Sequence, residues 1–294
     1  MMTSHAADRG CPRSHRAFAG RSGILERSIK RSFTRSHEAS AWGAILVALA
    51  LWLFALPTQA QIPIENSVET RFQLDLKVPA AALQSFFPQG FTSAVAPQGP
   101  AKDCNLRLVF IDRTTITDPD GRPVGKGSNR LVYLVAPAQD PSGNNLQLII
   151  GGLTEDPGDS PGYYDNYVLA TTHDLRRTST ATGAGPAVES QDWVFAAKSG
   201  EHLELHIKFS PGAGARMGPA EVRFYSAVNP TLYQISRQEQ VLEILRNTTT
   251  NPPDRVKEFS FKAFGGSYDK LFDKTVRVLS WDNIRWISRS IFNP

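Results

Sequence analysis

The stretch that decides the fold class is RFQLDLKVPAAALQSFFPQGF, residues 71–91. Every second residue from Phe72 to Val78 is apolar, and this period of two predicts a half-buried β-strand. Pro79 suits the start of a helix, and apolar side chains at helical spacing predict a short helix over 80–87. The chain is therefore expected to begin its fold with a strand that leads directly into a short helix.

The rest of the chain reads mostly as short strands. Dense or alternating apolar runs predict further strands at 106–111, 131–136, 146–153, 163–172, 193–197, 202–209, 221–227, 232–236, 259–264 and 275–279. Helical spacing of apolar residues predicts a helix at 238–246, and a Gly-rich loop is predicted at 211–219. Because strands and helices do not alternate, the pattern favours a mainly β (α+β) fold. We expect an antiparallel, closed or nearly closed β-barrel-like core with a few short helices.

Residues 1–60 are expected to be an export signal with a long basic segment. Residues 44–56 form a run of thirteen apolar residues, too short for a comfortable membrane span and typical of a signal-peptide core. Small residues at Thr58 and Ala60 predict cleavage before Gln61, and Lys30-Arg31 resembles the centre of a twin-arginine export signal. We expect an exported protein, periplasmic or extracellular, that meets the membrane only through this signal; an uncleaved anchor is the alternative.

The predicted domain organisation follows from that cleavage site. Residues 61–70 are expected to be a linker and 71–294 a single β-rich domain. The formal net charge of the chain is +4, but eight of its 32 Lys and Arg and three of its 28 Asp and Glu lie in 1–60. The remainder has 24 basic and 25 acidic residues, so its charge gives no support to nucleic-acid binding.

Six residues between the fourth and sixth predicted strands are the candidates for a ligand-binding wall. Tyrosines at high density often pack a cavity wall with their hydroxyl groups inward, and neighbouring arginines can bind a carboxylate through two hydrogen bonds. These candidates are Tyr163, Tyr164, Tyr167, His173, Arg176 and Arg177. Core packing for the tyrosines and solvent exposure for the charged residues are the alternatives.

One predicted strand carries weak candidates for a metal site. His202, Glu204 and His206 alternate with apolar residues, so they share one face of that strand. Two imidazoles and a carboxylate could bind zinc, but a solvated strand face explains the same pattern. No metal and no cofactor is predicted.

The order of elements and several short phrases resemble the acetoacetate decarboxylase superfamily. The phrases are VPAAALQSFFPQGF at 78–91, the apolar run at 106–112 and GYYDNY at 162–167. The resemblance spans most of 65–290. It implies a closed β structure around an internal cavity, in which the decarboxylases form a Schiff base on a lysine activated by a neighbouring cation.

The sequence departs from that family where its catalytic lysine pair would stand. Residues 173–182 read HDLRRTSTAT, the chain has no Lys-Lys pair, and no lysine lies between Lys126 and Lys198. Arginine cannot replace such a lysine, because it stays protonated. We therefore expect the family's fold and a cavity for a small carbonyl-bearing or apolar molecule, without the Schiff-base mechanism. A homo-oligomer is compatible with the sequence.

Three alternatives to that function remain. The first is an active lyase that uses Lys198 or Lys208. The second is a metal-dependent hydrolase built on His202 and its neighbours. The third is a non-catalytic envelope module that binds no small molecule.

Overall fold

The computed structural model describes residues 61–156, 164–183, 185–250 and 254–294, and these contain twelve strands and two short helices. In chain order the elements are β1 (Ile62–Lys77), α1 (Ala80–Gln84), β2 (Thr92–Ser93), β3 (Leu106–Thr117), β4 (Asn129–Gln139), β5 (Asn145–Thr154), β6 (Tyr167–Thr180), β7 (Val188–Ala197), β8 (His202–Phe209), β9 (Ala215–Ser226), β10 (Tyr233–Asn247), β11 (Val256–Phe264), α2 (Tyr268–Leu271) and β12 (Arg277–Asn293). The predicted mainly β class is confirmed.

Seven strands close into a ring. Their order is β1, β3, β4, β5, β9, β10 and β12, and β12 pairs again with β1. Six of these pairings are antiparallel, and β5 with β9 is parallel. The barrel-like core predicted from the sequence is therefore present, with one parallel pairing that the antiparallel prediction did not include.

The other long strands form a second layer, which we call the wing: β6, β7, β8 and β11. The wing joins the ring through a short parallel pairing of Gly152–Thr154 in β5 with Tyr167–Leu169 in β6. The predicted hairpin between β7 and β8 is confirmed. One continuous sheet thus forms both layers.

The main hydrophobic core lies between the ring and the wing. Phe72 of β1 and Phe110 of β3 are fully buried, and their rings approach wing residues. The ring centroids of Phe72 and Phe209 are 6.5 Å apart, and those of Phe110 and Trp193 are 5.7 Å apart. Because side chains alternate along a strand, the neighbours of Phe72 on β1 point to the opposite face, the interior of the ring.

The linker predicted over 61–70 is wrong, because β1 already begins at Ile62 and pairs with β12 and β3 along this segment. The strand was missed because the buried side chains of this segment are polar. Glu65 and Glu69 are 8% and 0% exposed. They are paired with arginines of other strands, so the segment lacks the apolar alternation that predicts a strand.

Three other local predictions also differ from the structure. The helix predicted at 238–246 is wrong, since this segment lies within β10. The loop predicted at 211–219 is partly wrong, since β9 begins at Ala215. The first helix ends at Gln84 rather than at residue 87. Phe87 precedes Pro88, and the helical conformation is disfavoured for a residue that precedes a proline.

The predicted export signal, residues 1–60, lies outside the described residues. Among the described residues, no helix is long and apolar enough to cross a membrane.

Candidate functional site

The inner face of the ring surrounds a pocket of about 390 Å³, here called the barrel pocket. All seven ring strands contribute to its lining. Its polar lining residues are Arg71, Gln73, Asp75, Arg107, Gln147, Gln238, Gln240 and Asp282. Apolar groups, among them Val109, Val135 and Phe224, complete the wall. A mostly formed pocket of this size with a few convergent polar groups is typical of a small-molecule site.

Buried arginines and glutamates fill the ring next to this pocket. This arginine–glutamate cluster consists of Glu65, Glu69, Arg71, Arg113 and Arg289. Arg71 Nε donates to Glu69 Oε2 at 2.7 Å, and Arg113 Nε lies 3.6 Å from Glu69 Oε1. Arg289 also pairs closely with Glu69. Among the described residues, the cluster brings three arginines together with two glutamates.

Glu69 is the centre of the cluster. Burial by itself would raise the pKa of this carboxyl, but the charges of Arg289, Arg71 and Arg113, with a hydrogen bond from Ser67, lower the pKa to about 2. Glu69 is therefore a fixed negative charge at neutral pH.

Arg71 connects the cluster to the barrel pocket. It lines the pocket, and its Nη1 donates to the hydroxyl of Tyr133 at 3.3 Å. Tyr133 lines the pocket as well. A guanidinium in this position places a positively charged group at the pocket wall.

Two carboxyl groups, here called the carboxyl pair, lie on adjacent strands in the same pocket. Asp75 is on β1 and Asp282 is on β12, and the side chain of Gln73 lies between them. Gln73 Nε2 lies 3.0 Å from Asp75 Oδ1 and 3.4 Å from Asp282 Oδ2. The two carboxyl groups therefore contact the same side-chain amide.

The two acids of the pair have different partners. Arg107 Nε lies 3.1 Å from Asp75 Oδ1, whereas Asp282 forms no ion pair with any described cation and accepts a 2.6 Å hydrogen bond from Ser280 Oγ. Burial, and next the negative charge of Asp75, raise the pKa of Asp282 to about 7. Burial also raises the pKa of Asp75, and the charge of Arg107 opposes that rise. Asp282 is thus the member that holds a proton most readily.

Of the tyrosines predicted as a ligand wall, Tyr164 and Tyr167 do not line this pocket. Tyr163 is outside the described residues. Tyr164 is buried and Tyr167 is partly buried, and their ring centroids are 6.2 Å apart in an edge-to-face arrangement. Tyr164 lines a much smaller space beside Tyr133 and Arg289. Within the described part of the chain, the hydroxyl of Tyr167 has no hydrogen-bond partner.

The charged members of the predicted wall lie on β6, in the wing. His173 Nδ1 lies 3.6 Å from Glu155 Oε2, and Arg177 Nη2 donates to Thr70 Oγ1 at 2.9 Å. Arg176 is exposed. The structure therefore does not gather the described members of the predicted set around one pocket.

The histidines of β8 contact different carboxylates on an outer face of the wing. His202 Nε2 lies 2.8 Å from Glu204 Oε1, whereas His206 Nδ1 lies 2.6 Å from Asp192 Oδ1. Glu204 is also bound by Lys262. Across the described ranges, no three or more His, Cys, Asp or Glu residues are placed to hold a metal ion.

No lysine is found among the described residues that line the barrel pocket. Lys198 is exposed in the turn between β7 and β8, and Lys208 Nζ pairs with Glu258 Oε1 at 2.6 Å on the wing. Both lysines suggested for a lyase mechanism are therefore placed away from this pocket.

Sequence reasoning missed the carboxyl pair and its amide neighbour. The alternation of Arg71, Gln73 and Asp75 with apolar residues was visible in the sequence, but it reads as a solvent-facing strand surface. The same alternation would have indicated a polar pocket if closure of the ring had been assumed.

The fold and pocket define a class of protein: a mainly β protein whose closed seven-stranded ring carries a polar pocket. No protein-family model matches the chain, and no curated protein matches it. Among solved structures, it is similar to the enduracididine biosynthesis enzyme MppR, complexed with the condensation product of pyruvate and imidazole 4-carboxaldehyde. The TM-score is 0.48 at 12% identity, over 80% of this chain and 89% of that one.

The chain is also similar to an acetoacetate decarboxylase-like enzyme from Sphingomonas wittichii RW1. The TM-score is again 0.48 at 12% identity, over 81% of this chain and 95% of that one.

Proposed function

We propose that the barrel pocket is the ligand site of this protein and that it binds a small carbonyl-bearing carboxylate, such as a short keto acid. The observation that carries the proposal is the pocket itself, to which all seven ring strands contribute and in which Arg71 reaches the wall. Apolar wall residues would cover the carbon chain of the ligand.

The positive charge of Arg71 favours a carboxylate. Its guanidinium lies at the pocket wall, where it could bind the carboxylate of a ligand. Hydrogen bonds between guanidinium and carboxylate are among the stronger ones in proteins.

Two glutamines supply further polar contacts. In the described structure, Gln147 and Gln238 each have a buried side-chain oxygen without a hydrogen-bond partner, and both line the pocket. A buried polar group without a partner is costly. A side-chain amide can present either its oxygen or its nitrogen to a ligand, so both residues suit a molecule with a carbonyl or hydroxyl group.

The pocket suits binding without an imine. A Schiff base requires a neutral lysine amine beside the ligand carbonyl, and none lines the pocket among the described residues. We therefore propose an acetoacetate-decarboxylase-like protein that has lost the Schiff-base mechanism. We also propose that it acts outside the cytoplasm, on the basis of the apolar run at 44–56 and the cleavage pattern before Gln61.

The test is a thermal-shift titration with 2-oxobutyrate, with butyrate and acetone as probes of the carboxylate and the carbonyl alone. We expect 2-oxobutyrate to raise the melting temperature most, since a ligand at about 100 times its Kd adds about 2.7 kcal/mol of stability. Arg71→Gln should abolish the shift, and the control Arg223→Gln, at a half-exposed arginine on β9, should keep it.

Borohydride treatment in the presence of 2-oxobutyrate should add no mass to the protein. A covalent adduct would contradict the proposed loss of the Schiff-base mechanism. Equal stabilisation of the wild type and Arg71→Gln would contradict the assignment of the pocket.

A further inference from the structure

Asp282 is the group in the barrel pocket best placed to exchange a proton with a ligand. Its carboxyl lines the pocket and is 5% exposed. On its own strand it is bound by Ser280, and from β1 it meets Gln73 and the charge of Asp75. Arg107 of β3 acts on it from a greater distance than on Asp75, and Ile244 stands opposite it on β10.

The surroundings give the two acids different roles. Arg107 lies against Asp75 and favours its charged form in opposition to burial, and the negative charge of Asp75 favours a proton on Asp282. Nearby Cys104 stays a neutral thiol, because burial raises its pKa to about 12. Two carboxyl groups whose environments push their proton affinities apart are a recurring arrangement in acid–base catalysis.

We propose that Asp282 is an acid–base catalytic residue that removes and returns the proton on the carbon next to the carbonyl of a bound 2-keto acid. The inference rests on the proposed function, since it requires a keto acid in the barrel pocket. It assigns a reaction class, enolisation, to a site for which only binding was proposed above.

The step is balanced without any other reactant. An oxygen of the Asp282 carboxylate accepts the proton from carbon 3, the electrons of that C–H bond form the carbon–carbon double bond of an enolate, and the carbonyl electrons move onto oxygen. The pocket amides and Arg71 can donate hydrogen bonds to that oxygen. Return of the proton to carbon 3 restores the keto acid, and in D2O the returned atom is deuterium.

The spacing along β1 fits a ligand of this size. Arg71 and Gln73 point to the same face, two residues apart, which is roughly 6–7 Å along a strand. Gln73 is directly opposite Asp282 in the β1–β12 register. A carboxylate bound at Arg71 would therefore place the carbonyl and the next carbon towards Gln73 and Asp282.

The test is the exchange of the carbon-3 hydrogens of 2-oxobutyrate in D2O, followed by proton NMR with the protein-free rate subtracted. We expect Asp282→Asn to reduce the catalysed rate on the order of a hundredfold, while 2-oxobutyrate still raises the melting temperature of this variant. The control Asp120→Asn, at a largely exposed carboxylate, should retain both exchange and stabilisation.

The wild-type pH profile is a second measurement that does not depend on the variant folding. The catalysed exchange should rise as pH passes through about 7, where Asp282 loses its proton. Wild-type protein that is stabilised by 2-oxobutyrate but catalyses no exchange would overturn this inference alone. The same holds for a flat pH profile or for full exchange in Asp282→Asn. Wild-type protein that is not stabilised would overturn the proposed function and this inference together.

Discussion

Glu69 and Asp282 are both buried carboxyl groups, yet their surroundings move their pKa values in opposite directions. Three arginines outweigh the burial of Glu69 and lower its pKa to about 2. Burial and the negative charge of Asp75 both favour the protonated form of Asp282, so its pKa rises to about 7. One acid is therefore charged at every pH at which the protein is expected to work, and the other changes its charge near neutrality.

This contrast predicts how each of these carboxyl groups contributes to the pH dependence of stability. Between about pH 4 and 7 the folded state holds a proton on Asp282 that the unfolded chain has released, so the free energy of unfolding falls as pH rises. The raised pKa of Asp75 acts in the same direction. The contribution of Glu69 is complete above its ordinary pKa of 4.5 and is lost as pH falls from there towards 2, so it is nearly constant between pH 5 and pH 8.

Urea unfolding of the wild type at pH 5 and pH 8 measures the effect. At about 1.4 kcal/mol per pKa unit, we expect the wild type to lose a few kcal/mol between these values. Asp282→Asn mimics the protonated acid, so it should match the wild type at pH 5 and exceed it at pH 8. Asp120→Asn should follow the wild type throughout. If Asp282→Asn shows the same pH slope as the wild type, Asp282 does not carry the proton.

At the scale of elements, Gly152 of β5 permits the junction between the ring and the wing. It is paired with Tyr133 of β4 and with Tyr167 of β6. A Cβ atom here would collide with the Tyr167 ring and would lie 2.5 Å from the carbonyl oxygen of Val132. We expect Gly152→Ala to destabilise the fold by about 1–3 kcal/mol, measured by urea unfolding.

The control for this variant is Gly183→Ala, because a Cβ atom there would meet nothing within 4 Å. It should change the free energy of unfolding little. A Gly152→Ala variant as stable as the wild type would show that β6 can move away from β5 without cost.

Elements with an apolar core face could be predicted from the sequence, and elements with a polar one could not. β3, β4 and β8 bury dense or alternating apolar residues against the core, and all three were predicted. In β10, Gln238 and Gln240 line the pocket beside Leu242. Polar lining interrupts the period-two pattern there, so the remaining apolar residues match helical spacing by coincidence.

The candidate site was missed for a reason that belongs to the whole molecule. The residues Arg71, Gln73 and Asp75 alternate with buried apolar residues, and such a polar face usually meets solvent. Only the pairings that close the ring, between β12 and β1 and between β5 and β9, turn this face inward. Those pairings join segments far apart in the chain, and local patterns contain no information about them.

Because of the same long-range pairing, we expect the start of β1 to be essential for folding, although this segment contributes little apolar surface. Glu65 and Glu69 lie in this segment, and both pair with Arg113 of β3 and Arg289 of β12. Both arginines are nearly inaccessible to solvent. Removing one partner of a buried ion pair costs about 3–5 kcal/mol, against a typical total stability of about 5–15 kcal/mol.

Two truncated proteins test this argument together with the proposed cleavage site. Residues 61–294, the product of cleavage before Gln61, should fold and unfold in one cooperative transition, because β1 begins at Ile62. Residues 72–294 lack both glutamates and should not fold, as judged by circular dichroism and urea unfolding. Glu69→Gln in the longer protein should give an intermediate loss of stability, whereas Glu258→Gln, at an exposed ion pair on the wing, should have little effect. Cooperative unfolding of 72–294 at an unchanged midpoint would show that the arginine–glutamate cluster does not hold the ring closed.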